Sequence, residues 1–236
     1  MTILTLKSVS HSYPDGPDRV IALDQIDLSV RPGEFVAVMG PSGSGKTTLV
    51  NVAAGLELAL RGSVIVDGVD LGRASAGQRA ELRRRRIGVV HQEDELDPVL
   101  TALENVALPL LLDGVGRRSA LAVAQVALER SAAGGLAERR RDQLSSGQRQ
   151  RVALARAIVG DRVLVLADEP TASLDTATAR ALVERLASLT SNATAVLMTT
   201  HDSRLATYAD RVVLLRDGRQ VGGTATADDP KEVLRS

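Results

Sequence analysis

Five apolar residues in a row, Phe35 to Met39, stand between the turn Arg31-Pro32-Gly33-Glu34 and the stretch Gly40-Pro41-Ser42-Gly43-Ser44-Gly45. A short apolar run bounded by turn residues reads as a buried strand, and Lys46-Thr47-Thr48-Leu49 after the glycines opens a helix. Upstream, Thr2 to Val9 and Ile26 to Val30 alternate apolar and polar positions as half-buried strands do. Pro14-Asp15-Gly16-Pro17 makes the turn or loop between them, with Tyr13 at its edge. Downstream, Gly62 to Val69 around Asp67-Gly68, and Val212 to Val221 around Asp217-Gly218, have the pattern of hairpins. Ser75 to Arg86 is helical and ends in four arginines, after which Ile87 to Val90 returns to strand.

From about Leu100 to Gly160 the pattern is mostly helical, broken at Pro109, Gly114-Val115-Gly116 and Gly134-Gly135. Strand and helix then alternate: Val163 to Ala167, Thr176 to Leu189, Thr194 to Thr199, Ser203 to Tyr208 and Arg211 to Arg216. Alternation of this kind predicts a largely parallel sheet covered by helices, with the helical stretch inserted into an α/β core. There is no internal repeat.

The chemistry sits on the edges of these strands. Gly40, Gly45, Lys46 and Thr47 fit the phosphate-loop spacing G-x-x-x-x-G-K-[ST], with the strand before and the helix after that the motif requires. Glycines let successive N–H groups converge on one anion, and the following helix adds its unpaired N–H groups and dipole. Lys46 is placed for the β- and γ-phosphates of ATP and Thr47 for Mg²⁺; Ser42, Gly43 and Thr48 complete the predicted cradle. The strand Val163 to Ala167 ends in Asp168-Glu169. In a phosphate-loop ATPase the first acid helps to hold Mg²⁺ and the second aligns and deprotonates the attacking water.

Composition narrows the class. At 236 residues the chain holds one sizeable core rather than two unrelated domains. Its 29 basic and 29 acidic residues balance, which removes a global electrostatic reason to bind nucleic acid or an anionic membrane. No apolar stretch reaches the roughly 18 residues of a membrane span, and the start MTILTLKSVSHSY lacks a signal-peptide pattern, so a cytoplasmic location is expected. There are no cysteines for disulfides or thiolate metal sites. Only Lys7, Lys46 and Lys231 are lysine, so Lys46 stands where a flexible ammonium does what a planar guanidinium cannot. Tyr13, Phe35 and Tyr208 are the sole aromatics, and neither Arg83 to Arg86 nor Arg139 to Arg141 has a stacking platform beside it. Those arginines are expected on solvated or ion-paired faces.

Leu144-Ser145-Ser146-Gly147-Gln148, followed by Arg149 to Ala157 and lying just ahead of Asp168-Glu169-Pro170-Thr171, resembles the signature sequence of ABC-type ATPases. Ser173-Leu174-Asp175 resembles that family's D-loop, His201 its switch histidine, Gln92 its Q-loop glutamine and Tyr13 its adenine-stacking aromatic. The resemblance covers essentially the whole chain. Thr101 to Leu110 looks most like the lipoprotein-release, macrolide-export and cell-division branch. It implies a P-loop NTPase core of ABC type within residues 1–236, made of a RecA-like core and antiparallel β subdomain (about 1–99 and 160–236) and an inserted helical subdomain (about 100–159).

It implies further that two subunits, identical or paralogous, stack head to tail, so that ATP on one P-loop is capped by Ser145, Gly147 and Gln148 of the other. His201 then contacts the γ-phosphate, and Gln92 senses Mg²⁺ and the attacking water. A separate transmembrane permease is the implied partner, with the chain at the inner face of the membrane and no nucleic acid involved. The alternative is a nucleotide-gated clamp that docks on a membrane protein and hydrolyses little. It rests on Ser146, which stands where the signature usually has a first glycine. Glu93, Asp94, Glu95 and Asp97 lie where relatives often carry apolar or aromatic residues, and are expected to meet a basic segment of the membrane partner.

Overall fold

The computed structural model describes residues 2–221, 225 and 226; Lys231 and the end of the 160–236 range lie outside the described residues. The chain opens with a long antiparallel hairpin, β1 (Leu4–Asp15) and β2 (Asp18–Val30), paired from Leu4 opposite Val30 to Asp15 opposite Asp18 with shifts of register between Leu6 and Ser12. Both strands run well past the segments their alternation predicts. The ladder continues through exposed polar residues because main-chain pairing, rather than burial, sustains it, and Gly16 at φ +58° closes the turn. Tyr13 consequently sits on β1 opposite Val20, and not at the edge of a loop.

The apolar run forms β3 (Phe35–Met39), followed by α1 (Lys46–Ala53), then β4 (Arg61–Val66) and β5 (Val69–Asp70). β4 pairs with β1 and β5, giving an antiparallel sheet in the order β2-β1-β4-β5. Next come α2 (Ala76–Arg85) and β6 (Ile87–Val90), then the helical stretch of α3 (Ala102–Leu112), α4 (Arg117–Arg130) and α5 (Ser146–Ile158). The strand carrying the two acids is β7 (Leu164–Asp168). Then follow α6 (Thr176–Ser188), β8 (Ala195–Thr200), α7 (Ser203–Ala206), β9 (Arg211–Arg216), β10 (Arg219–Gln220) and β11 (Ala225–Thr226). The second sheet runs β10-β9-β3-β8-β7-β6, with β11 also on β9; β9, β3, β8, β7 and β6 are mutually parallel.

Strands of this sheet are buried on both faces, which is why they read as continuous apolar runs. Phe35, Ala37, Met39, Val165, Ala167, Val196 and Met198 face one core with the helices from α3 to α7. Val36, Val38, Leu164, Leu166 and Leu197 face a second core that encloses α1 and the inner face of the antiparallel sheet. Because the five strands are parallel, the residues that follow β3, β6, β7 and β8 all emerge at one edge, where crevices of α/β sheets bind ligands.

Arg84, Arg85 and Arg86 of the arginine run at the end of α2 are ion-paired as expected, and Arg83 is hydrogen-bonded. Arg84 and Arg85 share Asp113, Arg86 Nε donates to Asp67 at 2.7 Å, and Arg83 Nη1 donates to the carbonyl of Gly55 at 2.8 Å. These charges are spent within the chain.

Gly88 fixes how β6 meets the signature helix. A Cβ there would lie 1.9 Å from the carbonyl oxygen of Ala157 on α5. Gly88→Ala should cost about 1–3 kcal/mol by overpacking, read as a lower urea midpoint with unchanged slope.

Candidate active site

At the carboxyl edge of β3 the backbone turns through Gly43 at φ +79° and Gly45 at φ +101°. A Cβ on Gly45 would meet the carbonyl oxygen of Ala22 at 2.2 Å, and one on Gly40 that of Leu215 at 2.1 Å, so both positions need glycine for space. Gly45 caps α1 without any side-chain hydrogen bond, whereas Ser75, Thr101, Ser145 and Asp175 cap α2, α3, α5 and α6 with theirs. The first N–H groups of α1 are therefore free to meet an anion.

Lys46 is almost fully buried, and its ammonium is held at three points. Nζ donates to the carbonyls of Gly40 at 2.8 Å and Pro41 at 2.9 Å, and lies 3.2 Å from Glu169 Oε1. The other Glu169 oxygen is 2.8 Å from His201 Nδ1. Glu169 adopts φ +44°, a left-handed conformation uncommon for a residue with a side chain, and its N–H donates to Thr199 Oγ1 at 2.9 Å. Thr199 Oγ1 in turn donates to Asp168 Oδ1 at 2.7 Å. Thr199 is fully buried on β8 and so orients both acids at once. No sequence motif signals it, because its role comes from β8 lying beside β7.

Lys46, Glu169 and His201 line a cavity of about 660 Å³. Ser42, Gly43, Gly45, Thr47 and Thr48 of the phosphate loop and α1 also line it, together with Gln92 and Tyr13. Val20, Ile21 and Ala22 of β2, and Ala172, also line it; they lie outside every motif and arrive through the hairpin and the turn after Glu169. Gly40 and Asp168 lie behind this lining.

Ser145, Gly147 and Gln148 are not in it. They form the start of α5, where Ser145 and Gln148 make a reciprocal cap: the Gln148 N–H donates to Ser145 Oγ at 3.3 Å and the Ser145 N–H to Gln148 Oε1 at 2.9 Å. A Cβ on Gly147 would come within 2.9 Å of Thr178 Cγ2, so this helix start packs closely on α6. Ser146 Oγ donates to the carbonyl of Ser173 at 3.4 Å, back within its own chain.

A magnesium ion fits the donors of the P-loop crevice only in company. Among the described residues no group of three or more His, Cys, Asp or Glu could hold a metal. The hydroxyl of Thr47 and the carboxylate of Asp168 would suit Mg²⁺ as the sparse oxygen set it takes when phosphate oxygens complete its shell.

The acidic cluster after Gln92 requires a correction. Asp94 does not face outward: its side chain is buried, with Oδ1 2.7 Å from Arg141 Nε and Oδ2 2.8 Å from Arg149 Nε. Arg156 donates to the carbonyls of Asp94 and Glu95, and Gln150 to that of His91. The segment bearing Gln92 is thus fastened to the signature helix, and of the three successive acids only Glu93 and Glu95 are exposed. The physical reason is that two guanidinium groups, Arg149 on α5 and Arg141 in the turn before it, pair directly with the carboxylate and turn it inward. Desolvation pushes the Asp94 pKa up, but Arg141, the Leu96 N–H and Arg149 outweigh it and hold the carboxyl below its ordinary value.

A carboxylate of lowered native pKa adds stability above its unfolded pKa and loses it as pH falls through the native value. Asp94→Asn should therefore be less stable than wild type at pH 7, and the gap should narrow below about pH 4 in urea titrations. A gap that stays constant with pH would refute this electrostatic role.

No helix among the described residues is long and apolar enough to cross a membrane. A family model described as ABC transporter matches residues 23–172. The lipoprotein-releasing system ATP-binding protein LolD of Pseudomonas fluorescens is 43% identical over 220 residues, spanning 93% of this chain and 97% of that one. The macrolide export ATP-binding/permease protein MacB 1/2 of Paracoccus denitrificans is 41% identical over 97% of this chain, which matches 35% of that longer protein. Among solved structures, the dimeric post-hydrolysis state of the ATP-binding cassette MJ0796 bound to ADP and Pi superposes with a TM-score of 0.88 at 34% identity, covering 96% of this chain and 99% of that one.

Proposed function

From the premise that this chain belongs to the ABC transporter family, we propose that it is the ATP-hydrolysing subunit that powers a separate membrane permease. The observation that carries this reading is the Lys46–Glu169–His201 contact at the mouth of the P-loop. It combines a cation for phosphate, a carboxylate for water and an imidazole in one crevice.

The γ-phosphoryl group of ATP would lie against the uncapped start of α1, held by backbone N–H groups from Gly43 to Thr48 and by Lys46. Thr47, Asp168 and Gln92 would hold Mg²⁺, which when bound neutralises developing phosphate charge. Glu169 would take a proton from the water whose oxygen attacks the γ-phosphorus. The bond to the β-phosphate oxygen then breaks, and ADP and phosphate leave. His201 orients Glu169 and meets the same phosphate. Tyr13 would stack on adenine.

Ser145, Gly147 and Gln148 stand outside the cavity that holds the P-loop. That separation supports their service to a partner subunit's nucleotide, so that one ATP lies between two chains and hydrolysis frees them. In this reading the helical part of about 100–159 and the rest of 1–236 act as one ATP-binding unit. It sits at the cytoplasmic face of the membrane, with exposed Glu93 and Glu95 near the permease.

Glu169→Gln should retain Mg-ATP binding and lose turnover by about 10²- to 10⁴-fold. Near-wild-type hydrolysis in that variant would remove the role assigned to Glu169. Lys46→Ala should instead abolish saturable nucleotide binding in equilibrium titration. Because each site needs two chains, specific ATPase activity of the purified protein should climb with its concentration. A flat dependence in the monomeric range would contradict the shared site.

A further inference from the structure

Tyr13 projects from the far end of the β1–β2 hairpin and is 38% exposed. Packing does little to fix such a ring. Its hydroxyl does more: it donates to Glu57 Oε2 at 2.6 Å and lies 3.2 Å from Thr48 Oγ1, on the first turn of α1.

Glu57 belongs to the connection between α1 and β4, and it does not line the nucleotide cavity. It is itself held from two further sides. Asn51 Nδ2, from α1, donates to Oε1 at 2.9 Å, and His11 Nε2, two residues before Tyr13 on β1, lies 3.0 Å from Oε2. The other ring nitrogen of His11 is 3.0 Å from the carbonyl of Leu58, and the His11 ring stands edge-on to Tyr13 with centroids 4.9 Å apart. One carboxylate therefore gathers the hairpin, the helix of the phosphate loop and the aromatic ring into a single frame.

We propose that Glu57 is a positioning residue for nucleotide binding, setting the Tyr13 ring at a fixed height above the first turn of α1 so that base and phosphates engage together. A charge-assisted hydrogen bond of this length fixes a side chain that would otherwise sample several rotamers, and the ordering is done before the ligand arrives. The inference rests on the base-stacking role given to Tyr13 above.

The test is equilibrium titration of the full chain with two ligands, Mg-ADP, which carries the base, and Mg-tripolyphosphate, which does not. Tyr13→Phe and Glu57→Ala should each weaken ADP by about three- to tenfold, the net worth of one ordinary hydrogen bond, and leave tripolyphosphate unchanged. The double variant should lose less than the two single losses combined, because the Tyr13–Glu57 contact is common to both. Glu57→Gln, which keeps an acceptor, should restore most of the affinity.

ADP binding within twofold of wild type in Glu57→Ala, alongside a clear loss in Tyr13→Ala, would overturn the inference and leave base stacking intact. An unaffected Tyr13→Ala would overturn stacking itself, and the inference with it. Equal losses for both ligands would show that Glu57 acts through the helix rather than the ring, and would also overturn it. Tyr13→Phe removes a single oxygen, so ADP binding within twofold of wild type in that variant overturns the inference even where Glu57→Ala fails to fold.

Discussion

The ammonium of Lys46 is the point on which the site depends. A nearly buried cation must be matched by fixed negative charge or dipoles, and here two carbonyls of the phosphate loop and one carboxylate of Glu169 supply them. That requirement binds the end of β3 to the end of β7 although β8 runs between them. Thr199 on the intervening strand then completes the link by donating to Asp168 and accepting from the N–H of Glu169. The strained backbone at Glu169 is tolerated because these contacts determine it from both sides.

A second set of contacts ties the signature helix to the strand edge. Asp94 meets Arg141 and Arg149, Arg156 reaches the adjoining carbonyls, Gln150 holds the carbonyl of His91, and Gly88 lets α5 approach β6. The loop bearing Gln92 is thereby fastened to α5, the helix that begins at Ser145 and Gly147. The hairpin carrying Tyr13 is joined to α1 by a smaller device of the same kind, a carboxylate at Glu57 shared among residues from separate segments.

Much of the architecture was legible because local chemistry and tertiary placement agree. Continuous apolar runs became the parallel strands, Asp-Gly pairs became the turns at Asp67 and Asp217, and the glycine spacing from Gly40 to Gly45 became the phosphate loop. Two readings failed for the same physical reason. Exposed polar residues around Tyr13 were read as leading into a loop, yet backbone pairing carries them as strand. Asp94 was read as a surface charge, yet it is buried among arginines that are 47 and 55 residues away in sequence. Neither main-chain pairing nor distant charge pairing leaves a periodic trace.

The sequence alone determined which residues can do phosphate chemistry, since Lys46, Thr47, Asp168 and Glu169 sit in short motifs whose spacing is itself the geometry. It also determined the alternation that makes the sheet parallel. Only the tertiary structure decided how those motifs serve one another. It brought His201 and Thr199 to the acids, assigned Asp94 to the signature helix rather than to a partner, and placed Glu57 behind Tyr13. Motifs encode contacts made within a few residues of chain, whereas these contacts exist only once the strands have been laid side by side.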